Sequence, residues 1–413
     1  MTGMEAPAGH LGSEAMATRP KFAEQPDTSL EAALVARLRD PLDVGRVNNA
    51  TVSLDIEDGD GWTLHIEDSQ LRLGHGVVAG ADTTIITDSA TMTGILTGTT
   101  SGVHAFISGQ LRVRGNLALS LRLAGSIAPE DRPVRFPRAR DVKAGGVDTF
   151  VLEAGAGPPV VLLHGLGATN SSMLPPLWDL ATDYRVVAPD LPGFGDSGKP
   201  IRSYDAGYFG RWVIELLDEL GIERAHLVGN SLGGRISVEA ALLAPERIDR
   251  LVLLAPSSAF IRKREWSRVV KLLRPEMALL PVPLAHRHIV RSTKALFSRS
   301  NRLPESWYAA AADEFLRVFS TARGRIAFFS AARQIYLEEP YGEEGFWDRL
   351  CGLSRPALFV WGERDRLVPA KFARHVEQAL PEVESVVLED CGHVPQFEHP
   401  DRTNELIREF LGR

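Results

Sequence analysis

A chain of 413 residues, 44 % hydrophobic and 24 % charged, is long enough for two or three domains. Its net charge of −7 argues against general nucleic-acid binding, and its two cysteines, Cys351 and Cys391, fit a reducing compartment rather than a disulfide framework. Residues 1–27 are rich in Ala, Gly, Pro and Glu and lack the apolar core of a signal peptide, so disorder is expected there. No stretch reaches the roughly 20 apolar residues that span a bilayer, and a cytoplasmic location is expected.

The stretch "SLEAALVARLRDPL" from Ser29 reads as an amphipathic helix. Val52, Leu54 and Ile56 then alternate with polar residues, as do Trp62, Leu64 and Ile66, with "DGDG" between the two runs. That pattern predicts a hairpin with one buried face. A strand "DTTIIT" and a helix-like stretch "SATMTGILTG" follow. In "HAFISGQLRVRGNLALSLRL", residues 104–123, Leu117, Leu119, Leu121 and Leu123 alternate, and by period alone this end reads as a strand. The motifs "GWTLHI" and "FISGQLRVRGNLALSLRL", in a helix–meander–helix order, resemble the sterol carrier protein type 2 domain over residues 28–127. The resemblance implies that the leucine-rich end is a helix over a lipid tunnel. It also implies a hydrophobic acyl or sterol-like ligand and no catalytic residues. A module whose tunnel has closed into plain core is the alternative.

The polar segment "APEDRPVRFPRARD", residues 128–141, carries three prolines and no apolar periodicity and reads as a linker. Beyond it, short apolar runs alternate with helical stretches: "PVVLLHG", "YRVVAPD", "AHLVGNS", "LVLLAPS" and "PALFVWG". This predicts an α/β fold with a parallel sheet covered on both faces. Between them "YFGRWVIELLDELG" places Phe209, Trp212, Val213, Leu216, Leu217 and Leu220 on one helical face, and Gly221 ends it.

Ligands bind beyond the carboxyl ends of such strands, and the chemistry-bearing residues collect there. His164-Gly165-Leu166-Gly167 ends the first core run, Asp190 the second and Ser231 the third, inside "GNSLGG". Asp365 follows "FVWG", and His393 lies in "CGHVPQFEHP" past "ESVVLED". A lone Gly-x-Ser-x-Gly is a weak signal. Here the serine sits at a strand-to-helix corner, an acid and a histidine follow in the order Ser, Asp, His, and a His-Gly-Leu-Gly turn precedes them. Over residues 140–413 the chain resembles the α/β-hydrolase family.

That resemblance implies a triad of Ser231, Asp365 and His393 with an oxyanion hole from the backbone N–H groups of Leu166 and Leu232. His393 would take the serine proton, and Asp365 would hold the imidazole in the needed tautomer. Asp190, His164, Cys391 and His399 read as structural. No metal-ligand spacing, phosphate loop or dinucleotide fingerprint is evident, and no cofactor is expected.

In the resembling family a helical cap occupies the position of residues 260–353 here. Within it, segment 261–302 holds eleven Lys and Arg against two Glu, a net +9 that leaves −16 on the rest of the chain. With the apolar "VVKLLRPEMALLPVPL" inside it, this segment suggests contact with an anionic membrane or guidance of an acidic substrate. The bland alternative is a cationic face bound to the acidic body of the same protein.

The leading expectation is a serine hydrolase of a hydrophobic carboxylic ester, with the N-terminal unit supplying or holding the acyl substrate. Carbon–carbon bond hydrolases of the same fold share the triad. A lipid-transfer protein with a silent hydrolase domain is the non-enzymatic alternative. Serine at 231 argues against the dehalogenases and epoxide hydrolases of this fold, whose nucleophile is an aspartate; haloperoxidase-like variants stay open.

Overall fold

The computed structural model describes residues 29–37, 47, 49–67, 70–127, 133–257, 284–343 and 345–413. The expectations for residues 1–27 and for the basic segment at 261–283 lie outside them. Among the described residues no helix is long and apolar enough to cross a membrane.

The N-terminal unit is built on β1 (Asn49–Ile56), β2 (Trp62–Glu67), β3 (Gln70–His75), β4 (Thr83–Thr87) and β5 (Leu111–Gly115), in the order β3-β2-β1-β4-β5. The expected hairpin pairs Leu54 with Trp62 and Val52 with Leu64, so both apolar faces turn inward together. The helix Ser89–Thr97 is set by its ends. Asp88 accepts from the Thr91 N–H at 2.7 Å, and Gly98 closes it at φ +74°.

The leucine-rich end corrects the strand read from its period. It forms the helix Leu117–Ile127, as the family resemblance implies. Alternation misleads because Ala118, Ser120 and Arg122, between the leucines, are buried too. From Leu117 to Leu123 every residue of this helix is buried, so no solvent-facing stripe exists there to reveal its period of 3.6.

The larger sheet has β6 (Arg138–Ala144), β7 (Val147–Ala154), β8 (Pro159–Leu163), β9 (Arg185–Pro189), β10 (Ala225–Asn230), β11 (Ile248–Leu254), β12 (Ala357–Gly362) and β13 (Glu384–Leu388). Their order is β13-β12-β11-β10-β8-β9-β7-β6. Six are parallel, and β6 and β7 form an antiparallel edge. The central strands are buried along their length, which explains their unbroken apolar runs. The expected linker is shorter than its composition suggests. Arg138 to Asp141 already belong to β6, paired with β7 from Glu153 to Phe150, and Phe136 is buried against Trp178.

Between β11 and β12 the described insertion contributes helices His286–Lys294, Glu305–Phe319, Ala322–Leu337 and Phe346–Leu350. Helix Glu305–Phe319 packs against the N-terminal unit. Asp313 pairs with Arg114 at 2.7 Å, and Glu314 accepts the Leu117 N–H at 2.8 Å. Deeper in the interface, buried Arg122 makes two 2.8 Å bonds to Asp141 and lies over the Phe150 ring. Of the basic segment's described residues, Lys294 pairs with Glu305, and Arg299 and Arg302 pair with Asp390.

Candidate active site

Ser231 stands between β10 and the helix Leu232–Leu243 at φ +53° and ψ −111°, in the left-handed half of conformational space that a non-glycine residue rarely occupies. Its backbone N–H donates to the Leu254 carbonyl at 3.0 Å, which holds the corner on the neighbouring strand. Two glycines make the corner possible. A methyl at 229 would overlap the backbone of Gly233, and a methyl at 233 would overlap the Leu163 carbonyl oxygen of β8. Strand and helix therefore approach with backbone against backbone, and the serine side chain projects from their junction.

Asp365 and His393 meet in the fold. His393 Nδ1 lies 2.7 Å from Asp365 Oδ2, and both residues are buried. The other carboxylate oxygen accepts the Leu367 N–H at 2.8 Å and the Val368 N–H at 2.9 Å. Facing a carboxylate, Nδ1 carries the imidazole proton, which leaves Nε2 as an acceptor. The histidine loop is braced at several points. Its own N–H donates to the Leu296 carbonyl at 2.7 Å, and its carbonyl accepts from Asn230 Nδ2 at 3.2 Å. Glu398 receives the Gly392 N–H at 2.8 Å and the Ser298 N–H at 2.7 Å.

The His164–Gly167 turn lies against the serine. A methyl on Gly165 would come within 3.3 Å of the Ser231 Cβ. His164 Nε2 accepts the Leu191 N–H at 2.9 Å, so its proton sits on Nδ1, 2.8 Å from the Gly165 carbonyl. Burial pushes this imidazole down to about 4, and it is neutral at physiological pH. Asp190 accepts the Asn170 and Asp196 N–H groups, each at 2.7 Å, while burial raises its carboxyl to about 7. Cys391 is buried, and burial raises its thiol well above the usual range, as fits an inert group. His399 contacts Arg302 and the Asp390 carbonyl.

Ser231, His393, Leu166 and Leu232 all line one cavity of about 600 Å³. Its upper walls come from the insertion, with Ile289, Trp307, Phe315, Phe328 and Ile335. Phe106 and Leu117 of the N-terminal unit also line it. Among the described lining residues there is no Lys or Arg, and Glu314 is the one carboxylate. Sequence reasoning missed Asn230, Glu398 and the two N-terminal wall residues. Asn230 and Glu398 each sit one residue from a position it weighed, Ser231 and His399.

Two family models match the chain: the alpha/beta hydrolase fold over residues 158–400 and the SCP-2 sterol transfer family over residues 32–127. The pimeloyl-[acyl-carrier protein] methyl ester esterase of Aeromonas hydrophila subsp. hydrophila is 32% identical over 261 residues, covering 62% of this chain and 97% of that protein. The 2-hydroxymuconate semialdehyde hydrolase of Pseudomonas sp. (strain CF600) is 30% identical over 295 residues, covering 69% and 96%. A solved membrane phospholipase A, described as a bacterial virulence factor, superposes with a TM-score of 0.56 at 29% identity, covering 67% of this chain and 86% of that one.

Proposed function

The chain belongs to the α/β-hydrolase family and carries an N-terminal SCP2 domain, and on that premise we propose that it cleaves a carboxylic ester with a hydrophobic acyl group. The observation that carries this reading is a large apolar cavity reaching Ser231 and His393 with no cationic side chain among its described lining residues. A neutral acyl ester suits such walls. A muconate-type substrate, the kind named for one relative, is a carboxylate and would lose hydration there without a counter-ion.

In this reading Ser231 Oγ attacks the acyl carbon while its proton passes to His393 Nε2. The carbonyl electrons move to oxygen, which the Leu166 and Leu232 N–H groups receive. Each such donor lowers the barrier by about 3–4 kcal/mol. Leu232 is the first residue of its helix, so the positive end of the helix dipole acts in the same direction. The oxyanion collapses, the bond to the alcohol oxygen breaks, and His393 returns its proton to that oxygen. Water then attacks acyl-Ser231, its proton going to His393. The acid leaves and the serine regains its proton.

The test is labelling by a fluorophosphonate probe and turnover of nitrophenyl esters and of a dienoate ring-fission product, each beside Ser231→Ala. Ser231-dependent labelling with ester turnover is expected. Labelling with dienoate cleavage and no ester turnover would replace ester hydrolysis by carbon–carbon cleavage. Absence of labelling would make the hydrolase half a scaffold.

A further inference from the structure

Among the described residues, the core of the N-terminal unit is tightly filled. It holds a void of about 30 Å³, lined by Leu54, Leu64, Ile85, Met92 and Leu121 among others. That is room for a water or two, far below the roughly 300–1,000 Å³ of ligand sites. The active-site cavity, about 600 Å³, lies within that range. Two residues, Phe106 and Leu117, line both spaces. They form a partition one side chain thick between two apolar volumes.

The partition is built into the domain contact. Phe106 stacks on Trp307 of the insertion, ring centres 5.0 Å apart and planes 18° from parallel. Trp307 in turn meets Phe397 edge-on at 4.8 Å, four residues past the histidine. The Leu117 N–H donates to Glu314, so the wall is tied to helix Glu305–Phe319. A chain attached to an acyl carbon at Ser231 must extend along apolar surface, and the cavity offers that surface as far as this wall.

We propose that the acyl chain of the substrate runs from Ser231 toward the N-terminal unit and ends against Phe106 and Leu117, which thereby set the longest chain the enzyme accepts. The proposal rests on the ester-hydrolase reading above. It makes the N-terminal unit the end wall of the substrate site. Removing the Phe106 ring joins the small void to the cavity and gives the chain room for further methylenes. Each newly buried methylene is worth about fourfold in transition-state binding.

The experiment measures kcat/KM for nitrophenyl esters from four to eighteen carbons with the full chain and with Phe106→Ala, Phe106→Leu and Phe106→Trp. The same proteins are assayed for fatty-acid affinity over these lengths by displacement of a fluorescent fatty acid, which needs no chemistry. The expected result is a ratio of long-chain to medium-chain kcat/KM that rises on the order of tenfold in Phe106→Ala. It should rise less in Phe106→Leu, which keeps an apolar side chain if the alanine variant fails to fold, and fall in Phe106→Trp. A uniform loss at every chain length, or an unchanged ratio, overturns the end wall. If the parent hydrolyses no ester, the ester reading has failed, and the affinities decide the wall alone. A shift toward longer fatty acids in Phe106→Ala supports it, and unchanged selectivity overturns it.

Discussion

Asp365→Asn tests the triad with almost no change of shape. In the native site one carboxylate oxygen accepts two backbone N–H groups, from Leu367 and Val368, and the other faces His393 Nδ1 at 2.7 Å. An asparagine has one accepting end. Turning its amide oxygen to the two backbone donors presents the NH₂ to His393. The imidazole must then accept at Nδ1 and carry its proton on Nε2, the atom that should receive the proton of Ser231. The opposite orientation sets the NH₂ against two backbone donors in a pocket where Asp365 is 4 % exposed, leaving buried N–H groups unpaired at about 1–3 kcal/mol each. The wrong tautomer is therefore the stable one. In the Ser-His-Asp template this exchange lowers kcat about 10⁴-fold, or about 5 kcal/mol of barrier. The expected outcome here is a fall in kcat of order 10³ to 10⁴ on a nitrophenyl ester, with KM and the thermal midpoint close to the parent's. Asp365 lies behind His393 and is not among the described residues lining the cavity. A loss below tenfold, or a loss matched by a collapse of thermal stability, would refute the reasoning.

The glycine corner gives a paired test. Gly233→Ala puts a methyl into the Leu163 carbonyl oxygen, whereas at Gly234 the nearest atom to an added methyl is the Gly229 carbonyl oxygen at 3.2 Å. Gly233→Ala should cost more than about 4 kcal/mol or prevent folding, and Gly234→Ala much less; equal urea midpoints would contradict this. Two buried groups oppose each other in pH. Burial raises Asp190 to about 7, so its contribution to stability is full below the unfolded value near 4 and lost as pH rises to about 7. Burial lowers His164 to about 4, so its contribution is present above about 6.5 and lost as pH falls toward 4. Wild-type urea stability should therefore change little from these groups between about pH 4.5 and 6.5. That of Asp190→Asn should rise by on the order of 2 kcal/mol over the same range, as His164 titrates unopposed; parallel profiles would count against the paired assignment.

Much of the candidate site was legible because each triad candidate follows an apolar run that becomes a strand. Ser231 directly follows β10, Asp365 comes three residues past β12, and His393 five past β13. A parallel sheet collects such positions at one end, whatever their separation in the chain. Legibility ended where a residue's neighbours lie far away. Asn230 reads as part of a glycine-rich turn until its amide is seen holding the His393 carbonyl. Glu398 braces Gly392 and Ser298 through backbone N–H groups, and backbone partners leave no residue-type signature. The stretch Leu117 to Leu123 deceived for a different reason. Periodicity reports the contrast between a wet face and a dry one, and this helix has no wet face along those residues.

That burial also bears on how the N-terminal unit acts within the chain. A unit held by a flexible tether would act by raising the local concentration of a ligand. Here the contact is ordered and charged. Glu314, 3 % exposed, accepts the Leu117 N–H and two bonds from Arg317, and Arg317 reaches on to Asp196 at 2.6 Å. Arg122, 4 % exposed, is bidentate on Asp141. Parting the two units would break these bonds and the Phe106–Trp307 stack together, whereas a flexible tether fixes no geometry. The insertion is gripped on its other side too, since the Leu296 carbonyl takes the His393 N–H and Ser298 binds Glu398. A displacement of the N-terminal unit would thus move the cavity wall at Phe106 and load the insertion that braces the histidine. As the end wall proposed above, the unit would shape the substrate site, and that influence should appear in selectivity between substrates whether or not the unit also supplies them.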